Sequence, residues 1–193
     1  MRVLGAFGLL VTWVTLGEAW WIFTSNDRAV YPHAEVTDSC LQMARNGSCG
    51  FYSCLESRFP CSPHSFALEH GQRYCHRFEQ HLADFTPNGR EWVIAAKKCQ
   101  TRFLLERYQH DVANCHTLNR VGWDRMSDCY LWEGFCRISW ENKDALWQVF
   151  QARDLLHTTR IWRELLQLTR SCSGYNIHRF LEWVMNKINY LRG

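Results

Sequence analysis

The sequence predicts an all-α fold, a disulfide-crosslinked helical bundle in a single domain, and three observations lead there. Apolar residues recur every three or four positions through most of the chain, and no alternating run is long enough to argue for a sheet. Ten cysteines, at positions 40, 49, 54, 61, 75, 99, 115, 129, 136 and 172, form an even set. The chain opens on a segment with the form of an export signal, and export delivers cysteines to a compartment where they pair. A length of 193 residues fits one domain with a real core.

The signal comes first. Met1 and Arg2 precede an apolar run from Val3 to Leu16 that is too short to cross a bilayer comfortably. Gly17 and Ala19 set small residues three back and one back from a cut before Trp20, so residues 1–19 read as a signal peptide. No later stretch approaches the roughly 20 uninterrupted apolar residues of a spanning helix. The expectation is a secreted, extracellular product without stable membrane insertion. The net charge of +3 is spread over interspersed acids and bases, which excludes the dense basic stripe of a nucleic-acid binder.

Residues 20–37 lack a helical period and carry Pro32, so they read as a leader without fixed structure. The domain is expected over 38–193. Asp38 is placed to cap a short helix through Cys40, Leu41, Met43 and Ala44 that Asn46 and Gly47 end. Phe59 to Ser65, with Pro60 and Pro63, reads as a loop. From Phe66 to Phe85 the residues Tyr74, Phe78, Leu82 and Phe85 share one helical face beside Cys75. Thr86, Pro87, Asn88 and Gly89 predict a reversal, with glycine supplying positive φ. A second long helix follows with Trp92, Ala96, Cys99 and Phe103 inside, Lys97, Lys98, Arg102 and Glu106 outside, and a frayed end over 107–113.

Leu118, Val121, Met126, Tyr130 and Leu131 carry a weaker helical signal that Gly122 interrupts and Gly134 ends. Ser139 is then expected to cap the longest helix, Trp140 to Arg170, through Leu146, Val149, Phe150, Leu156, Ile161, Leu165 and Leu168. After Gly174, Asn176 caps a last helix whose face is Ile177, Phe180, Leu181, Val184, Met185, Ile188 and Leu191. That face is expected to dock on the domain's own core. Trp132, Trp140, Trp147, Trp162 and Trp183 stay open between core and contact.

The cysteine ladder resembles that of the stanniocalcins, secreted glycoprotein hormones of animals. Cys49-Gly50-Phe51-Tyr52-Ser53-Cys54-Leu55-Glu56 is similar to the family's CGxFxCLE segment, and Phe85, Gly89, Trp92 and Val93 to its FxxxGxxFV stretch. The intervals from Cys40 to Cys49 and Cys54, and from Cys75 to Cys99, Cys115, Cys129 and Cys136, also agree, as does the Cys129-Tyr130 pair. Departures sit between Cys54 and Cys75, which implies an enlarged loop over Pro60 to His70. Spacing alone leaves the connectivity open. The resemblance implies Cys40 with Cys54, Cys49 with Cys75, Cys61 with Cys115, Cys99 with Cys129, and Cys136 with Cys172. A straight helix from Trp140 to Arg170 would run about 45 Å, whereas bridged Cα atoms lie within about 7 Å, so a break is expected near His157 to Thr159. The family's further cysteine, which links two chains, has no counterpart here. A covalent homodimer by that route is not expected, and non-covalent pairing stays possible.

Asn46-Gly47-Ser48 is a glycosylation sequon, and Asn46 is expected to carry a glycan. Catalytic signals are weak. His110-Asp111 is similar to the pair of secreted phospholipases A2 but lacks their calcium loop. There is no HExxH, His76 and His81 splay apart on a helix, and bridged cysteines make no nucleophile. No cofactor and no catalytic or metal residue is expected. The resemblance implies a non-enzymatic hormone associated with calcium and phosphate homeostasis, acting on a protein receptor or target. It also implies an alternative, non-covalent inhibition of a pappalysin-type metalloproteinase.

Overall fold

Helices in this chain begin where a side-chain oxygen serves backbone N–H groups that have no helical acceptor. A computed structural model describes residues 29–151, 154 and 159–192. Thr37 Oγ1 accepts the Cys40 N–H at 3.2 Å and opens α1, Asp38–Asn46. Asp38, expected as the cap, is instead in the first turn, where its charge complements the helix dipole. Gly47 ends α1 at φ 72°, a left-handed position that suits glycine. Helix α2, Gly50–Arg58, packs beside it and buries one face through Phe51, Tyr52, Leu55 and Arg58, a stripe the sequence reading misses because it ends on a charged residue.

The expected helix from Phe66 to Phe85 is three pieces: a π-helical segment Phe66–Gln72, α3 at Arg73–Gln80, and a 3-10 turn at Leu82–Asp84. Tyr74, Phe78 and Phe85 are buried as the period requires. Leu82 reaches only partial burial, because the tighter final turn rotates it away. Helix α4, Pro87–Tyr108, starts on Thr86 Oγ1, which accepts the Gly89 N–H at 3.2 Å, with Pro87 in the first turn. Gly89 is therefore helical and does not supply positive φ. A Cβ there would run into the Asn142 side chain, whose Oδ1 accepts the Thr86 N–H at 2.8 Å. The helix ends at Tyr108, within the 107–113 stretch where its end was expected.

Residues beyond Tyr108 lead to β2, Ala113–Asn114, which pairs antiparallel with β1, Ala29–Val30. The leader is thus part of the fold from Ala29 onward. The His33 N–H donates to the Arg58 carbonyl at 2.8 Å, the buried Arg58 guanidinium donates to the carbonyls of Ala34 and His110, and the Tyr108 hydroxyl donates to that of Glu35 at 3.3 Å. These bonds satisfy an irregular strand whose own period carries no signal.

Helix α5, Cys115–Trp132, opens with Asn114 Oδ1 accepting the Thr117 N–H at 2.8 Å. It runs unbroken through Gly122, contrary to expectation, because the Phe66 ring occupies the space a Cβ would need. Gly122→Ala sets a helix-propensity gain of about 1 kcal/mol against overpacking of roughly 1–3 kcal/mol. The expected result is net destabilisation, read as a lower urea midpoint at unchanged slope. Gly134, at φ 100°, ends the hairpin turn before α6, Phe135–Ile138.

The long helix expected over Trp140–Arg170 is instead divided. Ser139 does not cap it: the residue is buried in right-handed helical backbone at the end of α6. Helix α7 spans Lys143–Phe150 and stops at Gln151, whose φ of 44° is left-handed without being glycine. Helix α8, Thr159–Ser171, resumes beyond. The chain therefore turns at Gln151, ahead of the expected break, while Leu156, His157 and Thr158 lie outside the described residues. Gln151 is held there by its side-chain oxygen, which accepts from Arg77 at 3.0 Å, and by its carbonyl, which accepts the Asp154 N–H at 3.0 Å. In α9, Tyr175–Arg192, Asn176 lies inside the helix instead of capping it. Ile177, Phe180, Val184 and Ile188 dock on the core, leaving Met185 and Leu191 exposed.

Trp92 sits at the centre of the core. Its ring lies 5.7 Å from Phe78, 5.2 Å from Tyr130 and 5.8 Å from Phe135, and its Nε1–H donates to the Tyr130 carbonyl at 3.2 Å. Phe135 in turn meets Phe180 edge-on at 5.9 Å, which carries the packing into α9.

Candidate functional site

Five bridges position the surface. Cys40–Cys54 joins α1 to α2, Cys49–Cys75 joins the start of α2 to α3, and Cys99–Cys129 joins α4 to α5. Cys61–Cys115 pins the loop after α2 to the first residue of α5, and Cys136–Cys172 ties α6 to the end of α8. Their Cα separations run from 5.4 to 6.0 Å, and these are the partners the resemblance implies. No cysteine is free, so no thiolate nucleophile is available.

The catalytic alternatives are not assembled among the described residues. His110 and Asp111 are both exposed after α4. His76 pairs with Glu79 at 3.4 Å and His81 with Asp84 at 2.9 Å, so the two histidines do face different partners. Cys49, His76 and Glu79 bring three donor atoms within 4.8 Å of one another, but the Cys49 sulfur is bound in a bridge and offers no thiolate. An apolar cavity of about 40 Å³ between α5, α7, α8 and α9, lined by Trp123, Met126, Leu146 and Phe180 among others, is a packing gap too small for a drug-sized ligand.

The tryptophans left open between core and contact separate clearly. Trp140, Trp147, Trp162 and Trp183 are half-buried at the rim. Arg179 lies 3.9 Å and Lys143 5.0 Å from the Trp140 ring centre, and Trp147 meets Trp183 edge-on at 5.6 Å. Trp132 is different, with 60% of its surface exposed. Its ring lies 5.6 Å from Phe103, and the Arg125 guanidinium lies 4.9 Å from the same Phe103 ring. Phe103, expected inside α4, therefore belongs to an outward aromatic patch between α4 and α5 beside the Cys99–Cys129 bridge. Aromatic and arginine side chains of this kind dominate protein contacts. No sequence signal marked the patch, because Phe103 obeys the same period as the core residues.

Asn46 stands exposed at the end of α1, where the Gly47 turn presents it. Among the described residues no helix is long and apolar enough to cross a membrane.

A bundle of helices locked by five bridges, with bonding and contact surfaces but no assembled catalytic group among the described residues, defines a disulfide-crosslinked all-helical protein. The Stanniocalcin family profile matches residues 26–190, and the chain belongs to that family. It is 23% identical over 177 residues to the stanniocalcin of Oncorhynchus mykiss, covering 88% of this chain and 66% of the relative, and matches that of Oncorhynchus kisutch to the same extent. The chain thus spans slightly under two thirds of the length of these curated relatives. No solved structure matches.

Proposed function

We propose that the protein is a secreted stanniocalcin-like glycoprotein hormone, non-enzymatic, that acts by binding a protein receptor or target and is associated with calcium and phosphate homeostasis. The observation that supports this reading is the family match across residues 26–190 together with the bridged framework. The reading includes signal cleavage before Trp20 and a glycan on Asn46. The contact surface it favours is the Trp132, Phe103 and Arg125 patch. Purified protein added to cells reporting calcium and phosphate flux is expected to change that flux. Trp132→Ala is expected to weaken the response roughly 30-fold, the loss typical of a contact hot spot, while the melting temperature stays near that of the parent. A flux response that Trp132→Ala leaves intact removes the patch from the reading, and no response removes the hormone.

The family resemblance also implies a second reading, inhibition of a pappalysin-type metalloproteinase. With every cysteine bridged, such inhibition is non-covalent and reverses on dilution. A cleavage assay run beside the flux assay separates the two.

A further inference from the structure

We infer that the face formed by α9 and the start of α7 adsorbs to the surface of an anionic phospholipid bilayer, with Lys143, Arg179 and Lys187 meeting the headgroup charge and Trp183 and Tyr190 seated at the headgroup level. This inference is independent of the hormone reading. Arg179, Trp183, Lys187 and Tyr190 follow at intervals of four, four and three residues, so they share one face of α9. That face flanks the buried row Ile177, Phe180, Val184 and Ile188. Trp140, in the turn before α7, and Lys143 and Trp147, within α7, pack against it.

Cations and rings alternate across this face. Arg179 lies 3.9 Å from the Trp140 ring centre, and Lys143 lies 5.0 Å from Trp140 and 5.9 Å from Trp183. Lys187 lies 5.4 Å from Trp183, which Trp147 meets edge-on at 5.6 Å. A cation held over a ring keeps its charge while shedding part of its water, and a half-buried indole fixes where that charge stands. Tyr190, 84% exposed, and Leu191, also exposed, extend the face past the core residue Ile188. The core row of α9 stays inside the bundle, so the contact is adsorption and not insertion.

The composition decides the partner. Three cations are few for a polyanion, whose affinity grows with every charge neutralised. Trp140 and Trp183 already carry cations over their rings, which leaves less of each face for stacking a sugar. A bilayer surface uses both features, because Trp and Tyr join an apolar body to a polar tip and each Lys or Arg is drawn to anionic lipid. Acidic side chains stand at the border. Asp144 accepts from Lys143 at 3.2 Å but is 75% exposed and screened by water, Glu141 is exposed beside Trp140, and Glu182 lies about 100° round the helix from Trp183.

Sedimentation of the folded, fully bridged protein with phospholipid vesicles tests the face. Binding is expected to vesicles of equimolar phosphatidylcholine and phosphatidylserine, to fall with added salt, and to be about 100-fold weaker on phosphatidylcholine alone. Lys187→Gln should weaken it about 5-fold. Tyr190→Ser should weaken it too, and Trp132→Ala, in the patch between α4 and α5, should leave it unchanged. Lys187 and Tyr190 are exposed, so the melting temperatures of their variants should match the parent. Brominated acyl chains in the same vesicles should quench tryptophan fluorescence in the parent and less in Trp183→Phe. Absence of binding to the anionic vesicles overturns the inference, as does equal binding to both compositions or binding that survives both α9 substitutions. Heparin binding without vesicle binding would mark a polyanion site and overturn it equally. Loss of vesicle binding in Trp132→Ala would place the lipid contact at the other patch, with the same consequence.

Discussion

Asp154→Ala is expected to destabilise the fold by about 3–5 kcal/mol, the range for removing one partner of a buried charge network. Asp154 is 7% exposed and follows the turn at Gln151. Arg77 donates to its Oδ2, Arg73 Nη2 lies 3.3 Å from its Oδ1, and the Tyr74 hydroxyl donates to it at 3.2 Å. Burial, with the Asp154 charge second, pushes the Tyr74 phenol pKa up, so it remains a donor. Without the carboxylate the Arg77 guanidinium, only 16% exposed, keeps bonds to the Val149 carbonyl and Gln151 Oε1 but loses its counter-charge. Arg73, at 38% exposed, is screened by water and contributes less. The fall in melting temperature should be about 6–20 °C for a chain of this size. Asp154→Asn preserves hydrogen bonding without the charge, so its loss should be smaller. Equal losses for the two variants would show that charge alone, and not shape or hydrogen bonding, holds the turn.

Cys136→Ser with Cys172→Ser is expected to lower stability by about 4 kcal/mol, the chain-entropy value for a closed loop of 36 residues. The effect should be local before it is global. Helices α8 and α9 meet the rest of the bundle through Ile161, Leu168, Ile177, Phe180, Val184 and Ile188, and by the bond from Ser127 on α5 to Glu164. Helices α4 and α5 remain joined by Cys99–Cys129 and by the Trp92 cluster. Hydrogen exchange should therefore quicken in α8 and α9 while amides around Trp92 stay protected. Uniform acceleration across the chain would rule out a separable α8–α9 unit.

These two sites differ in how visible they are before the structure is known. Cysteines announce themselves by count and spacing, and the bridge between 136 and 172 already required the chain to turn back. Asp154 announces nothing. Its partners Arg73 and Arg77 are about eighty residues earlier, and an isolated aspartate beside a helical run reads as solvated.

Glycines show the division at single residues. Gly47 and Gly134 end helices at positive φ, a backbone property that local context predicts. Gly89 and Gly122 lie inside helices, where the deciding atoms belong to Asn142 and Phe66 from distant segments. Ser139 likewise has the chemistry of a cap, yet the packing of α6 draws it into helical backbone.

By itself the sequence determined the helical class, the approximate helices, the residues of the core stripes and the family, because periodicity and cysteine spacing are written along one dimension. Tertiary structure alone decided the pairing of Ala29–Val30 with Ala113–Asn114, the turn at Gln151 and the outward place of Phe103. The reason is physical: a hydrogen bond, an ion pair or a ring contact depends on which atom lies across the gap, and that atom comes from elsewhere in the chain.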